Sequence, residues 1–239
     1  MTDLSVCIPM YNESAVIEKT ALVLHEYLEE KYSGRYELIF CDDGSTDGSS
    51  GLVEKLGLPN IRIIRYEQNR GKGYAVRTAL SESSGRFAFF TDADLAYGTD
   101  VIGQFYDTYL NDPGAGIIIG SRQLSDDGYR TYPLLRRVAS KVYIKLLNIA
   151  GGLKVTDSQS GCKGFRRDFI DDIVPRCEVD RFAFDFEFLL WADKLGYRIH
   201  EVPVSMKKYG QSKVHVIRDS IEMLNDLKKM KKRIKNSNV

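Results

Sequence analysis

Apolar positions in the first part of the chain switch repeatedly between two periods. Leu4-Ser5-Val6-Cys7-Ile8-Pro9 is a short apolar run closed by proline, the pattern of a buried strand. From Ala15 to Tyr32 the apolar positions Ile17, Ala21, Leu24 and Leu28 return at helical spacing, with Asn12 and Ser14 placed to cap the helix they predict. The rhythm then repeats. Tyr36 to Cys41, Ile61 to Arg65 and the run ending at Thr91 read as strands, while Gly51 to Leu58 and Gly71 to Ser83 read as helices, the latter with Ala75, Ala79 and Leu80 inward. Strands alternating with helices in this way predict an α/β fold whose sheet is mostly parallel.

The second half is less regular. Ile102 to Leu110 predicts a helix, Ala115 to Ile119 a buried strand, and Gly120-Ser121-Arg122 its polar exit. Gln123 to Pro133 mixes Asp, Gly, Tyr and Arg without period and reads as a loop. Val138 to Ala150 is amphipathic, with Val142, Leu146 and Ile149 on one face. Asp157 to Phe165 is small and polar before it turns apolar; Phe182 opens a helix that runs to Leu195 and stops at Gly196, and Tyr197 to Val204 is a last strand. From Ser212 onward Ile217, Ile221, Leu224, Leu227, Met230 and Ile234 form an apolar stripe, and Lys228, Lys229, Lys231, Lys232, Arg233 and Lys235 crowd its end.

Composition adds mainly exclusions. With 239 residues, 43% hydrophobic and 28% charged, the chain has an ordinary globular balance, and a net charge of +1 gives no general attraction to nucleic acid. Its four cysteines lack both the paired spacing of a zinc site and the density of a disulfide scaffold, so a reduced, cytoplasmic protein is expected. No run approaches the roughly 18 apolar residues of a spanning helix, and the residues after Met1 lack a basic signal-peptide start, so the chain is expected to be neither secreted nor integral to a membrane. The basic stripe at the end reads two ways, as a solvated helix terminus or as an element lying peripherally on an anionic membrane. A homo-oligomer is left open.

Chemistry gathers where strands end. The Phe87 strand runs into Asp92-Ala93-Asp94, and the Tyr36 strand into Asp42-Asp43-Gly44-Ser45-Thr46-Asp47. In open α/β sheets ligands bind beyond the carboxyl ends of the strands, and carboxylates at i and i+2 there can hold a divalent cation against a diphosphate. Taken alone, Asp-Ala-Asp also fits an acidic turn that stops a strand. An NAD enzyme is disfavoured, because no G-x-G-x-x-G follows the first strand, and Pro9-Met10-Tyr11-Asn12-Glu13 is not the glycine-rich loop expected of a nucleotidyltransferase.

Four motifs occur in order: Ile8-Pro9-Met10-Tyr11-Asn12-Glu13, Cys41 to Asp47, Asn69-Arg70-Gly71-Lys72-Gly73 and Thr91-Asp92-Ala93-Asp94. Together they resemble the nucleotide-sugar half of a family 2 inverting glycosyltransferase with the GT-A fold. Gly120-Ser121-Arg122, Asp157 to Phe165, Phe184-Asp185-Phe186-Glu187, Glu201-Val202-Pro203-Val204 and Gly210 to Val214 extend the resemblance to the dolichyl-phosphate glucose and mannose synthases, the glucose branch more closely. It implies one GT-A domain over residues 1–211, with a nucleotide-sugar half (1–122) and an acceptor half (123–211), followed by a basic helix over 212–239. It also implies that Pro9, Tyr11 and Glu13 hold base and ribose, that Asp42 or Asp43 joins them, and that Asp92 and Asp94, with Ala93 between, meet donor and Mg²⁺ or Mn²⁺. Lys72 reads equally as a donor contact or a solvated lysine.

The implied reaction is hexose transfer from UDP-glucose to a polyprenyl phosphate. Transfer to a saccharide hydroxyl is the catalytic alternative, and a non-catalytic nucleotide-sugar or membrane-binding module the other. A hydroxyl acceptor must lose a proton as it attacks and so needs a base, for which Asp185 and Glu187 are the candidates; both read equally as helix N-terminal charges. A phosphate acceptor is already anionic and needs cations. Arg122, Arg130, Arg136, Arg137, Arg181 and Lys213 are available for that role, with Gln159 and Ser160 beside them.

Overall fold

The computed structural model describes residues 2–129, 144–145, 148–149, 151–207 and 216–237, with backbone alone for 216–225. Strand β1 (Leu4–Met10), helix α1 (Ile17–Tyr32), β2 (Tyr36–Asp42), α2 (Ser49–Glu54), β3 (Ile61–Arg65), α3 (Lys72–Ser81) and β4 (Phe87–Thr91) follow the expected alternation. Helix α4 (Asp100–Asn111) and β5 (Ala115–Ser121) come next. Among the described residues the strands form one seven-stranded sheet of order β3-β2-β1-β4-β6-β5-β7. β1 is parallel to both β2 and β4, in register Val6 to Leu38 and Val6 to Phe89.

Alternation of side chains builds a core on each face. Cys7, Ile39, Cys41 and Phe90 point to the side covered by α3, while Val6, Ile8, Leu38, Phe40 and Phe89 point to the side covered by α1 and α4. All four cysteines are buried and free, as small core residues.

Two elements have no counterpart in the sequence reading. Cys162–Arg166 forms strand β6, inserted antiparallel between β4 and β5, and helix α5 (Arg167–Ile173) follows it directly. Lys163 and Gly164 disguise the strand, since neither is a strand former. Gly164 is required because a methyl there would run into the Phe87 ring, and Lys163 finds a buried partner described below. Helix α6 (Phe184–Leu195), closed by Gly196 at φ +75°, and strand β7 (Arg198–Pro203) agree with expectation. Most of the predicted helix Val138 to Ala150 lies outside the described residues, as does the second part of the Gln123 to Pro133 loop, whose first part is turns and bends.

The last helix, α7, spans Val216–Asn236. Its residues Leu227, Met230 and Ile234 are buried in the α3-side core, and Lys194 of α6 donates to the carbonyls of Ile234 and Ser237 at its end. Each of those apolar side chains contributes about 1.5–3 kcal/mol by leaving water. This part of the stripe is therefore spent on the protein, and Lys228, Lys229, Lys231, Lys232 and Lys235 face outward. No helix among the described residues is long and apolar enough to cross a membrane.

Candidate active site

The loops that leave the carboxyl ends of β1, β2, β3 and β4 meet at one edge of the sheet. The first two are stitched together by short side chains. Asn12 takes φ +53° and donates its N–H to Ser45 Oγ at 2.9 Å, while its Oδ1 accepts from Thr46 N at 2.9 Å. Glu13 N donates to Ser49 Oγ and Ser14 N to Asp47 Oδ2, each at 2.9 Å. Burial pushes the Asp47 carboxyl up, but the bonds from Ser49 and Ser14 outweigh it and hold the group well below the usual range. Pro9 is buried opposite Cys41, and Tyr11 stands exposed at the rim.

Asp42 and Asp43, left as alternatives by the sequence, have different jobs. Asp43 accepts from Asn69 Nδ2, Arg70 N and Gly71 N, each at 2.8 Å, and so fixes the loop that enters α3. Asp42 is fully buried; its Oδ1 accepts from Ser45 N at 2.8 Å, while its Oδ2 has no hydrogen-bond partner among the described residues and lies 3.9 Å from Arg65.

Beyond β4, Ala93 is pinned by Thr20 Oγ1, which donates to its carbonyl at 2.6 Å. Asp92 pairs through Oδ1 with Lys72 Nζ, at the first turn of α3. Burial works against the Lys72 charge, yet Asp92, Asp185 and Asp94 hold it above the ordinary lysine range. Lys72 is thus part-exposed and paired with a carboxylate at the same time. Asp94 lies at the mouth, its Oδ1 accepting from Ala96 N at 3.0 Å. Its carboxyl is raised by the protein packed around it and by the neighbouring Asp92 charge.

The opposite wall is the strand the sequence reading missed. Lys163 is fully buried on β6, with Nζ 2.6 Å from Asp185 Oδ1 and 2.9 Å from the Ser160 carbonyl. Asp185 is only 8% exposed, in the first turn of α6, and burial raises its carboxyl despite Lys163 and Lys72 nearby. Gly161 lets the chain pass beside Asp92, since a methyl there would strike the Asp92 carboxylate. Ser160 is buried on its own backbone at Cys162.

Several expected site residues are engaged elsewhere. Arg122 is 8% exposed and clasps the fully buried Asp157, its guanidinium donating from Nε to Oδ2 at 2.7 Å and from NH2 to Oδ1 at 2.8 Å and its backbone N–H to Oδ2 at 3.1 Å. Glu201 of β7 in turn holds the same turn, accepting from Thr156 N at 2.9 Å and from Asp157 N at 3.3 Å. Gln159 is half-buried beside this turn, and Arg181 is exposed on the loop before α6. Glu187 is not beside Asp185. Two residues along the helix it lies on the opposite face, fully buried, accepting from Glu178 N at 3.0 Å and Val179 N at 2.8 Å and pairing with Arg233. The geometry therefore offers Asp185 as the base candidate and makes Glu187 a loop anchor. Arg130, Arg136, Arg137 and Lys213 lie outside the described residues. Lys163, Asp157 and Glu201 lie in motifs quoted from the sequence but were given no role of their own; the structure pairs them with Asp185, Arg122 and the turn at Thr156, and the one signal for Lys163 was a charge set in a run of glycine and apolar residues.

Among the described residues no three His, Cys, Asp or Glu side chains are grouped to hold a metal by themselves. Asp92 and Asp94 nevertheless suit Mg²⁺ or Mn²⁺, because such ions are commonly held by one or two carboxylates together with substrate phosphates. The Lys72 ammonium already paired with Asp92 shows that this carboxylate can meet a positive charge.

The sequence profile of Glycosyl transferase family 2 matches residues 5–174. The dolichyl-phosphate beta-glucosyltransferases of Saccharomyces cerevisiae and Dictyostelium discoideum are each 32% identical to the chain, over 94% of it and 72% of their own length. Among solved structures, glucosyl-3-phosphoglycerate synthase from Mycobacterium tuberculosis, in complex with Mn²⁺, UDP and glucosyl-3-phosphoglycerate, superposes with a TM-score of 0.69 at 20% identity, covering 98% of this chain and 80% of that one. That likeness supports the GT-A fold expected from the motifs. The chain belongs to glycosyl transferase family 2.

Proposed function

We propose that the chain transfers glucose from UDP-glucose to a polyprenyl phosphate such as dolichyl phosphate, with inversion at the anomeric carbon, at the surface of a membrane. The observation that carries this reading is the 32% identity, over nearly the whole chain, to relatives that use dolichyl phosphate as glucosyl acceptor. The site supports it chemically. Lys72, paired with Asp92 and part-exposed, is the described cation placed to meet a phosphate group, which needs positioning rather than deprotonation, while the buried Lys163 is held by Asp185.

In this reading the loops after β1 and β2 receive the nucleoside, with Tyr11 and Glu13 at the rim and Asp42 behind them. Asp92 and Asp94 hold Mg²⁺ or Mn²⁺ with the diphosphate. When bound, the cation offsets charge that grows on the departing diphosphate. Lys72 lies on the same carboxylate and adds a second positive charge beside the leaving group. Asp185, fixed by Lys163, faces this centre from the acceptor side. The outward lysines of α7 favour an anionic surface, with about 1 kcal/mol available per basic residue close to it.

A second reading has one observation in its favour. The raised carboxyl of Asp185 is the property of a general base, which a saccharide hydroxyl would need. Asp185→Asn separates the two. With a phosphate acceptor it should leave turnover within about tenfold, and with a hydroxyl acceptor it should cost on the order of 10²–10⁴-fold while donor binding persists. Asp94→Ala should remove metal-dependent release of UDP from a folded protein. Full activity in that variant would defeat the metal assignment, and absence of donor cleavage by the wild type with any metal and acceptor would favour a non-catalytic module.

A further inference from the structure

Glu187 presents a puzzle that the transfer reaction does not use. A fully buried carboxylate is costly, and an apolar residue would serve packing better. What it holds explains its presence. Its two oxygens accept from the backbone of Glu178 and Val179, so it ties down the loop that precedes α6.

That loop is the seat of the first turn of α3. The carbonyl of Asp180 accepts from Tyr74 N at 3.1 Å, and Asp180 Oδ1 accepts from Arg77 at 2.5 Å. Approach is so close that only glycine fits: a Cβ at Gly71 would lie 2.5 Å from the Asp180 carbonyl, and one at Gly73 would lie 2.7 Å from Phe184 Cβ. Between those two glycines sits Lys72, paired with Asp92. The same loop leads directly into Asp185, whose charge bears on Lys72.

The countercharge for Glu187 comes from the far end of the chain. Arg233 on α7 pairs with Glu187 and with Glu178, while Leu227, Met230 and Ile234 seat its helix on the core. Among the described residues the buried Arg233 Nε has no hydrogen-bond partner, so the guanidinium is placed for Glu187 and Glu178 rather than for full satisfaction of its own donors. We propose that Arg233 is a positioning residue for transfer: through Glu187 and the loop 178–183 it sets Lys72 and Asp185 against Asp92, making the docked C-terminal helix part of the active site's support. The inference rests on the assignment of Asp92, Lys72 and Asp185 to the reacting site.

The test uses the full chain with Arg233→Met, Arg233→Lys, Glu187→Gln and the double variant Arg233→Met/Glu187→Gln. Two readouts are taken, steady-state kinetics of UDP release and amide hydrogen exchange of the unliganded protein over 70–74 and 178–184. Arg233→Met should lower kcat about tenfold or more, the scale of a small misplacement at a reacting centre, with the donor KM within about threefold. Exchange should rise in both segments. Arg233→Lys, which keeps the charge, should recover a large part of kcat, and the double variant should lose no more than Arg233→Met alone, because the two residues act as one unit. Wild-type kcat in Arg233→Met, or kcat falling only in proportion to the folded fraction, would overturn the proposal. So would exchange that is unchanged over 70–74. The exchange measurement needs no substrate, so it decides the coupling even if the wild type proves to use a different acceptor. If Arg233→Met does not fold, Arg233→Lys and Glu187→Gln carry the same comparison.

Discussion

Replacing Lys163 by Met tests the wall of the site that was least legible in the sequence. Lys163 is fully buried and its ammonium lies 2.6 Å from Asp185, itself 8% exposed. Methionine fills much the same volume, so the packing loss is small and the change isolates the charge. It leaves Asp185 buried without its counterion and the Ser160 carbonyl without its donor. Breaking a buried pair from one side costs about 3–5 kcal/mol, a large share of the about 5–15 kcal/mol that holds a typical domain folded. For a chain of this size that corresponds to a fall in Tm of about 6–20 °C. Urea denaturation should show the midpoint moving down with the slope unchanged.

The loss should also depend on pH. In the wild type the Asp185 carboxyl is already raised by burial, so the folded state favours its proton more than the unfolded chain does. Its contribution is complete below the unfolded value near 4 and is lost as pH rises through the folded value. Without Lys163 that folded value rises further, so the penalty should be largest at neutral pH and shrink toward pH 4. The double change Lys163→Met/Asp185→Leu should recover most of the stability, since a buried pair is often replaced by apolar residues at little cost. A loss below about 1 kcal/mol at pH 7, or one that grows on acidification, would refute the reasoning.

Asp157→Ala should cost about 3–5 kcal/mol in denaturation because it strands the buried Arg122 guanidinium. Burial pushes the Asp157 carboxyl up, but Arg122 holds it below the usual range, so its contribution is present above about pH 4 and lost as pH falls through the folded value, opposite in sign to Asp185. Gly161→Ala should leave Tm nearly unchanged but lower kcat by about 10–100-fold, because Asp92 must give way and release Lys72; kinetics as in the wild type would contradict that geometry. Changing Lys228, Lys229, Lys231, Lys232 and Lys235 to Gln should abolish sedimentation with anionic vesicles at low salt without unseating α7; undiminished binding would remove the helix from any membrane role.

What the sequence made legible follows from physics that is local. Strands β1 to β4 and helices α1 and α3 were readable because their apolar periods are clean, and the acids after β2 and β4 because a parallel sheet delivers strand ends to one edge. The motif order then narrowed the family. Lys163 was not readable, because its burial depends on Asp185, which is distant in sequence and arrives only once α6 packs on the sheet. Glu187 and Asp185 look equivalent in sequence, yet their places on α6 differ, and only the packing of loop and tail separates anchor from site residue. Arg122 shows the same limit: at a strand's end it reads as a free cation, and its burial against Asp157 depends on a turn 35 residues further along the chain. The basic tail read evenly as solvated or membrane-bound because periodicity cannot say what covers an apolar stripe, and in its last turns the cover is this chain's own core.

The most direct test of the account is UDP release from UDP-glucose by the purified full chain with Mn²⁺, in vesicles with and without polyprenyl phosphate. Release that requires the lipid phosphate, disappears on chelation and yields a β-linked glucosyl lipid is the predicted result. Release that ignores the lipid phosphate but rises with an oligosaccharide acceptor would contradict it.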